Sequence, residues 1–326
     1  MQKTIEDKPI YILAPMDDVT DTVFRQVICS CAKPDLSFSE FVNVDGLMSP
    51  GRKRLLPKLE RQDSEAPLVA HIWGANPANF AAVADQIASG SLAAEVGSKD
   101  NFAGIDLNMG CPARAVIKGG VCSALIKNHE LASTIIAATK QGNNGRLRLS
   151  VKTRLGFERI DPQWTQFLLR HDLDMLTIHL RTVKEMSLVP AHFSELSRII
   201  KERDRISPKT KIIANGDIMS RQQGDELIAK YNLDGVMIGR GVFHDPFVFS
   251  KNSPWQNTAK KDRIKLFMEH LNSYNEWAIN PDKGVKRLNK YAKIYVNGFA
   301  GAKELREQLA QAESVLQMQD ILRAVL

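Results

Sequence analysis

The sequence predicts a (β/α)8 barrel of the TIM type, an α/β fold, followed by a small all-α helical-bundle domain. Eight short, β-rich apolar runs recur along the first 250 residues. Segments of helical pattern separate these runs, and helical patterns alone occupy residues 251–326. This alternation of strands and helices is typical of the barrel. A doubly wound sheet is the alternative, but no GxGxxG pattern follows the first run.

The eight apolar runs are the expected strands of the barrel. In chain order they are Ile10–Ala14, Leu36–Ser39, Leu68–Ile72, Gly104–Leu107, Leu149–Val151, Met175–Ile178, Lys211–Ala214 and Gly235–Ile238. Amphipathic helices between them include Pro77–Ile87 and Leu131–Lys140. We expect the catalytic barrel domain to span residues 1–250, with the boundary in the polar stretch at residues 250–258.

The second domain, residues 251–326, is predicted from four further helical patterns. They are Arg263–Trp277, Val285–Tyr295, Ala302–Ala310 and Val315–Val325. Short connections between such segments are typical of an antiparallel helical bundle.

Much of the positive charge of the chain lies in this second domain. The whole chain has a formal net charge of +7. The part after residue 250 contains 13 basic and 8 acidic residues. Five basic residues share one stripe along the second helix: Lys283, Lys286, Arg287, Lys290 and Lys293. The stripe indicates either a solvated helix face or a surface for a polyanion.

Composition narrows the class of protein further. Hydrophobic residues make up 44% of the chain, enough for a large core, yet no run of about 18 apolar residues predicts a membrane span. We also expect no secretory signal peptide. Four cysteines in a chain of 326 residues do not form a disulfide framework and lack zinc-ligand spacing. We therefore expect a cytoplasmic protein without a metal site.

Polar, small or reactive residues end every predicted strand. They are Pro15 and Met16, Glu40, His71 and Trp73, Asn108 and Cys111, Lys152 and Arg154, His179 and Arg181, Asn215–Asp217, and Gly239–Gly241. A single such residue is more often structural than functional. Because the carboxyl ends of barrel strands form the catalytic face, eight in series predict an active site there.

The turn after the fourth strand presents one thiol, that of Cys111. Gly110 lets the backbone bend without a Cβ clash, and Pro112 fixes φ. A thiol on such a turn can act as a nucleophile, a metal ligand or a proton donor. The residues of the turn leave all three roles open.

The other strand ends indicate anion binding. Lys152 could form a Schiff base, as in barrel aldolases, but Arg154 on the same side favours an anion instead. Glycines follow the last two strands directly, where backbone N–H groups can approach a phosphate, and Arg240 can pair with it.

These motifs resemble the tRNA-dihydrouridine synthase family over nearly the whole chain. They include APMDDVTD, SEF, IDLNMGCPA followed by KGGVCSALIKN, SVKTRLG, TIHLRT, IIANGDI and DGVMIGRG. The resemblance implies a barrel that binds flavin mononucleotide (FMN), a helical domain that binds tRNA, and NADPH-driven reduction of a uridine C5=C6 bond. It implies a hydride from flavin N5 to C6 and a proton from Cys111 to C5.

The resemblance also assigns binding residues. The implied flavin contacts are Pro15, Met16, Asp17, His71, Asn108, Lys152, His179, Asn215, Gly216, Asp217, Gly239 and Arg240. The expected contacts to RNA are Asn108, Arg154, Lys286, Arg287 and Lys290. The chain departs from the family where His71 replaces a usual glutamine and Leu180 a usual glycine. A second basic segment, with Arg52, Lys53, Arg54, Lys58 and Arg61, could also guide RNA toward the barrel mouth.

Two other functions fit parts of the same pattern. A flavin barrel acting on a small pyrimidine, similar to dihydroorotate dehydrogenase, shares the phosphate cradle but leaves the basic tail unexplained. A non-catalytic tRNA-binding relative would keep the tail without the chemistry. We expect a monomer that modifies one uridine of tRNA, with position 16 of the D-loop favoured by the FVNV and LLPKLE segments.

Overall fold

The computed structural model describes residues 8–278 and 284–326, and it confirms the predicted TIM barrel. Parallel strands β1, β2 and β4–β9 pair in a closed ring, because β1 pairs with both β2 and β9 and β2 pairs with β4. The short β3 pairs with β4 beside this ring. The strands are β1 (Ile10–Leu13), β2 (Leu36–Phe38), β3 (Val42–Asn43), β4 (Leu68–Trp73), β5 (Gly104–Met109), β6 (Arg148–Arg154), β7 (Met175–His179), β8 (Lys211–Asn215) and β9 (Gly235–Ile238).

Helices surround the ring of strands. They are α1 (Thr22–Ala32), α2 (Val44–Leu47), α3 (Pro77–Ala88), α4 (Ser91–Glu95), α5 (Arg114–Lys118), α6 (His129–Asn143), α7 (Pro162–Leu169), α8 (Leu196–Ile206), α9 (Arg221–Tyr231) and α10 (Gly241–His244). Side-chain caps begin several of them: Asp21 accepts the N–H of Phe24 for α1, and Ser220 accepts that of Gln223 for α9. No helix of the described ranges is long and apolar enough to cross a membrane.

The barrel interior is filled by side chains. Ile12, Phe38, Val69, Ile213 and Met237 form one buried apolar cluster inside the ring. The opposite faces of the strands pack against the surrounding helices in a second, larger cluster. Strands buried on both faces explain why the runs read as continuous apolar segments in the sequence. The interior is therefore a packed core, open to ligands only toward its ends.

Several strands extend beyond their predicted carboxyl ends. Strand β6 runs to Arg154 instead of Val151, β5 to Met109 instead of Leu107, and β4 to Trp73. Polar residues interrupt the apolar pattern there because every second side chain points into the barrel mouth rather than into the core. Asn108, Lys152 and Arg154, expected just after these strands, therefore lie on them, whereas Cys111 follows β5.

Four helices follow the barrel, as predicted. They are α11 (Lys260–Trp277), α12 (Val285–Tyr295), α13 (Ala302–Gln311) and α14 (Val315–Arg323). They pack on the barrel through aromatic side chains: Phe24 of α1 stacks on Tyr291, with ring centroids 5.0 Å apart. The Tyr291 hydroxyl donates a hydrogen bond of 2.7 Å to the carbonyl of Val19. The buried apolar cluster outside the ring continues into these helices.

Candidate active site

The carboxyl end of the barrel gathers the polar side chains of neighbouring strands. Asn108 on β5 pairs in register with Lys152 on β6, and His179 on β7 pairs with Asn215 on β8. His179 and Asn215 lie on the same faces of their strands as the interior apolar residues of β7 and β8, so they point into the barrel mouth. The strand pairing therefore brings together groups that lie up to 107 residues apart in the sequence.

Cys111 lies on a turn whose backbone is held from several directions. The Asn108 Oδ1 atom accepts the N–H groups of Gly110 and Cys111, each at 3.1 Å. Ser123 donates its hydroxyl to the Cys111 carbonyl at 2.6 Å. A Cβ on Gly110 would lie 3.1 Å from the backbone of Thr153, so a larger residue would force the turn or β6 to move by a few tenths of an ångström.

The Cys111 thiol is suited to donate a proton. Burial raises its pKa above the ordinary range, although the nearby charges of Lys152 and Arg154 act in the opposite direction. The thiol is therefore protonated at neutral pH, whereas a nucleophilic cysteine requires a depressed pKa. Across residues 8–278 and 284–326, no group of three His, Cys, Asp or Glu side chains has the arrangement of a metal site.

A pocket opens beside this turn at the mouth of the barrel. Nine of the twelve predicted flavin contacts line it: Pro15, Met16, Lys152, His179, Asn215, Gly216, Asp217, Gly239 and Arg240. Ala14, Ile218, Met219 and Met237 complete the lining. The predicted residues Asp17, His71 and Asn108 lie outside it.

Two buried nitrogens at this end of the barrel lack hydrogen-bond partners among the described residues. They are Asn108 Nδ2 and His179 Nδ1. An orphaned buried donor costs about 1–3 kcal/mol, so such groups commonly mark a ligand position. Burial and the adjacent arginines lower the pKa of His179, which is therefore neutral. Leu180 points away into the core, so its bulk does not displace His179 from the pocket.

Lys152 presents an amine to the pocket without a hydrogen bond or ion pair from the described residues. Burial, and then the charge of Arg154, lower its pKa to about 8. The amine still carries its proton at pH 7 in most molecules. It supplies a positive charge at the floor of the pocket.

The glycine-containing loops after β8 and β9 are cross-linked by ion pairs. The Asp217 carboxylate pairs with buried Arg181 and, at 2.9 Å, with exposed Arg240. Gly216 has a φ of 114°, a conformation that other residues rarely adopt, and a Cβ there would lie 3.4 Å from His179. The carboxylate of Asp217 is thus shared between two arginines, and the backbone and the exposed guanidinium of Arg240 can still face an anion.

Arg154 braces the Cys111 turn. It is only 7% exposed. Its Nε donates to the Gly110 carbonyl at 2.9 Å, and its Nη1 donates to the carbonyls of Thr182 and Met186 at 3.0 Å. One guanidinium group therefore ties the Cys111 turn to the loop after β7. The contact of Arg154 with RNA stays a prediction. Nη2 is the guanidinium nitrogen that would make this contact.

His71 lies deeper in the barrel and belongs to a buried polar chain. Its Nδ1 lies 2.6 Å from the carboxylate of Asp106, which also accepts the hydroxyl of Ser150 at 2.5 Å. Burial lowers the pKa of His71. Nδ1 is therefore the protonated nitrogen, and Nε2 is left as an acceptor. Asp17, by contrast, is half exposed and pairs with Lys58.

The basic stripe on α12 lies against the loop after β1. Arg287 forms a 3.4 Å ion pair with Asp18, and the Lys290 amine donates to the Asp18 carbonyl. Lys286 and Lys293 are exposed. Lys283 lies outside the described residues. Two of the predicted RNA contacts thus also hold the second domain on the barrel.

The second predicted basic segment is largely neutralised by acids. Arg52 pairs with Glu95, Lys58 with Asp17 and Arg61 with Asp100. These acids come from other parts of the chain, so the segment alone did not reveal them. The sequence pattern likewise did not single out Asp106, Ser150 and the bracing role of Arg181, because their partners lie on other strands and loops.

The chain resembles known proteins over nearly its whole length. Residues 12–326 match the family model described as dihydrouridine synthase (Dus). A probable tRNA-dihydrouridine synthase of Staphylococcus aureus (strain COL) is 43% identical over 318 residues, covering 97% of this chain and 92% of the relative. The probable tRNA-dihydrouridine synthase 2 of Bacillus subtilis (strain 168) is 40% identical over 322 residues, covering 98% of this chain and 93% of the relative.

Solved structures share the fold. Histamine dehydrogenase from Rhizobium sp. 4-9 aligns with a TM-score of 0.52 at 11% identity, covering 83% of this chain and 50% of that chain. At this identity the likeness concerns the barrel architecture alone.

Proposed function

Because the chain belongs to the dihydrouridine synthase family, we propose that it reduces one uridine of tRNA to dihydrouridine with bound FMN and with NADPH as reductant. The observation that carries this proposal is the protonated thiol of Cys111 on a braced turn beside a polar pocket. The family relationship supports the substrate, and the chemistry of the pocket supports the cofactor.

The residues of the pocket fit a flavin. Asn108 Nδ2 and His179 Nδ1 are buried without partners and can bind the polar edge of a ring. Lys152 supplies a positive charge to a ring that gains electrons. The backbone of Gly216 and Gly239, together with Arg240, suits the phosphate. FMN, when bound, supplies a hydride from N5 to C6 of the uracil.

Cys111 completes the reaction at the neighbouring carbon. Negative charge develops on the uracil as C6 receives the hydride, and an acid must protonate C5. The thiol donates that proton and becomes a thiolate, which Lys152 and Arg154 stabilise by their positive charge. Asn108 and Arg154 hold the turn in place during the transfer through their bonds to its backbone.

The substrate uridine must leave its stack to reach the pocket. Extrusion costs a few kcal/mol, which binding of the tRNA backbone by the second domain offsets. Lys286, Arg287 and Lys290 of α12 are the proposed contacts there. Phosphate contacts give affinity and orientation but no sequence information.

The test is reduction of unmodified tRNA by the purified protein loaded with FMN and supplied with NADPH. We expect a yellow protein that forms dihydrouridine at one position, and mapping that position tests the proposal of position 16. Reduction of free uracil or oxidation of dihydroorotate without response to tRNA would favour a small-molecule oxidoreductase. Binding of tRNA by a colourless protein that takes up no flavin would contradict the enzymatic function.

A further inference from the structure

Exposed cations also gather on the barrel rim over strands β5–β7. Arg114 and Lys118 lie on α5, directly after the Cys111 turn, and the others lie on the loops that follow it. We refer to the five as the β5–β7 rim: Arg114, Lys118, Lys127, Arg159 and Lys184. They come from separate segments of the sequence, so they do not form a basic run that sequence analysis could detect.

The loops that carry these cations are joined to each other. The N–H of Val183 donates to the carbonyl of Gly156, and that of Lys184 donates to Phe157, both at 2.9 Å. The amine of Lys127 lies 3.9 Å from the centre of the Phe157 ring. The rim is therefore one continuous surface, and Lys127 and Arg159 line a cleft in it.

Few acids neutralise this surface. Glu158 pairs with Lys127 at 2.8 Å, and the charges of Lys184 and Arg159 further lower its pKa. The four other cations form no ion pair with any described residue. In the basic segment of residues 52–61, by contrast, three of five cations are paired.

The rim lies across the barrel mouth from the second domain. Strand β6 is four places from β1 in the closed ring of eight strands. Helix α12 sits on the loop after β1, through Lys290 and Tyr291. The pocket and the Cys111 turn therefore lie at the mouth between two positively charged surfaces.

We propose that the β5–β7 rim is a second binding surface for the phosphate backbone of the RNA. This inference rests on the proposed function, because the same site must accept a uridine from a folded RNA. Contacts on both sides of the mouth would hold the flanking backbone while the uridine occupies the pocket. Four of the five rim cations have no ion-pair partner among the described residues, as expected for a surface whose counter-charges are the phosphates of the substrate.

The test compares the salt dependence of tRNA binding by two double variants. Arg159→Ala with Lys184→Ala removes two rim charges, and Lys201→Ala with Lys209→Ala removes two exposed charges on α8 and the loop after it. Each lost phosphate contact reduces the slope of log K against log salt by about 0.7–0.9. For the rim variant, Arg159→Ala with Lys184→Ala, we expect the magnitude of this slope to fall by roughly 1.4–1.8. The control variant should keep the wild-type slope.

An unchanged slope in the rim variant, or an equal loss in the control, would overturn the proposal. FMN content and Tm of both variants show whether they fold, and Lys118→Ala provides an independent single variant with an expected loss of about 0.7–0.9. Failure of the proposed function has a different result, because the wild-type protein would then form no dihydrouridine. If the wild-type protein reduces tRNA and the rim variant keeps the wild-type slope, the proposal for the rim is contradicted and the proposed function stands.

Discussion

Substitution of Gly110 by alanine tests how tightly the position of the Cys111 turn is set. A Cβ at residue 110 would lie 3.1 Å from Cα and the carbonyl carbon of Thr153, and 3.3 Å from the Lys152 carbonyl oxygen. Overpacking of this kind costs about 1–3 kcal/mol, and the turn can relieve it only by moving away from β6. Such a movement lengthens the Asn108 bonds to Gly110 and Cys111, already 3.1 Å.

The expected loss is in the rate of reduction rather than in binding. A displacement of about 1 Å at a reacting group costs about 100-fold, so a shift of a few tenths of an ångström to 1 Å predicts a loss of roughly 10- to 100-fold. The assay is single-turnover formation of dihydrouridine by reduced enzyme, with the Kd values for FMN and tRNA measured beside it. Both Kd values should stay near those of the wild type.

Gly119→Ala is the matched control. Gly119 follows α5 on the same segment, and a Cβ there would meet its nearest atom, the Val116 carbonyl oxygen, at an ordinary 3.4 Å. We expect a wild-type rate for this variant. A wild-type rate for Gly110→Ala as well would refute the reasoning that contact with β6 positions the thiol.

Three further outcomes follow from the charges of the molecule. Because burial raises the pKa of Cys111, the single-turnover rate should stay level from pH 7 to about 8.5 and fall only above it; a fall that begins at neutral pH would contradict this. Lys286→Ala should reduce the slope of log K for tRNA binding against log salt by about 0.7–0.9. An identical slope for the variant and the wild type would count against this contact. Burial lowers the pKa of His270 to about 3, whereas the same histidine in the unfolded chain has a pKa of about 6.5. Below that pH the unfolded chain binds a proton that the folded chain does not, so the free energy of unfolding should fall by about 2 kcal/mol between neutral pH and pH 5. Replacing the hydrogen-bonded pair by His270→Phe and Tyr295→Phe should abolish that part of the acid loss in unfolding measurements, and an unchanged pH dependence would contradict it.

The sequence predicted the barrel well because its strands are buried on both faces. Apolar runs and helical periods are local signals, so the eight strands and the four helices after them were found. The carboxyl ends of five strands, β4 to β8, were placed too early. Lys152 and Arg154 interrupt the apolar pattern of β6, although they continue the strand and face the mouth of the barrel.

Contacts between distant segments were beyond the reach of sequence patterns. The His71–Asp106 pair joins residues 35 positions apart, and Arg154 connects two turns that each lie more than 25 residues from it. The charge of a basic residue is visible in the sequence, but its neutralisation is not. Arg52 and Lys58 are paired in the folded chain, while the cations of the β5–β7 rim are mostly free of ion pairs with described residues.

The most direct measurement is single-turnover reduction of tRNA by the Cys111→Ser variant loaded with reduced FMN. Loss of a positioned general acid typically costs 10²–10⁴-fold, so we predict a fall of at least about 100-fold with FMN content and tRNA affinity unchanged. Cys31→Ser, which replaces a half-buried cysteine of α1 away from the pocket, should keep the wild-type rate. Dihydrouridine formation by Cys111→Ser at the wild-type rate would show that the thiol is not the proton donor.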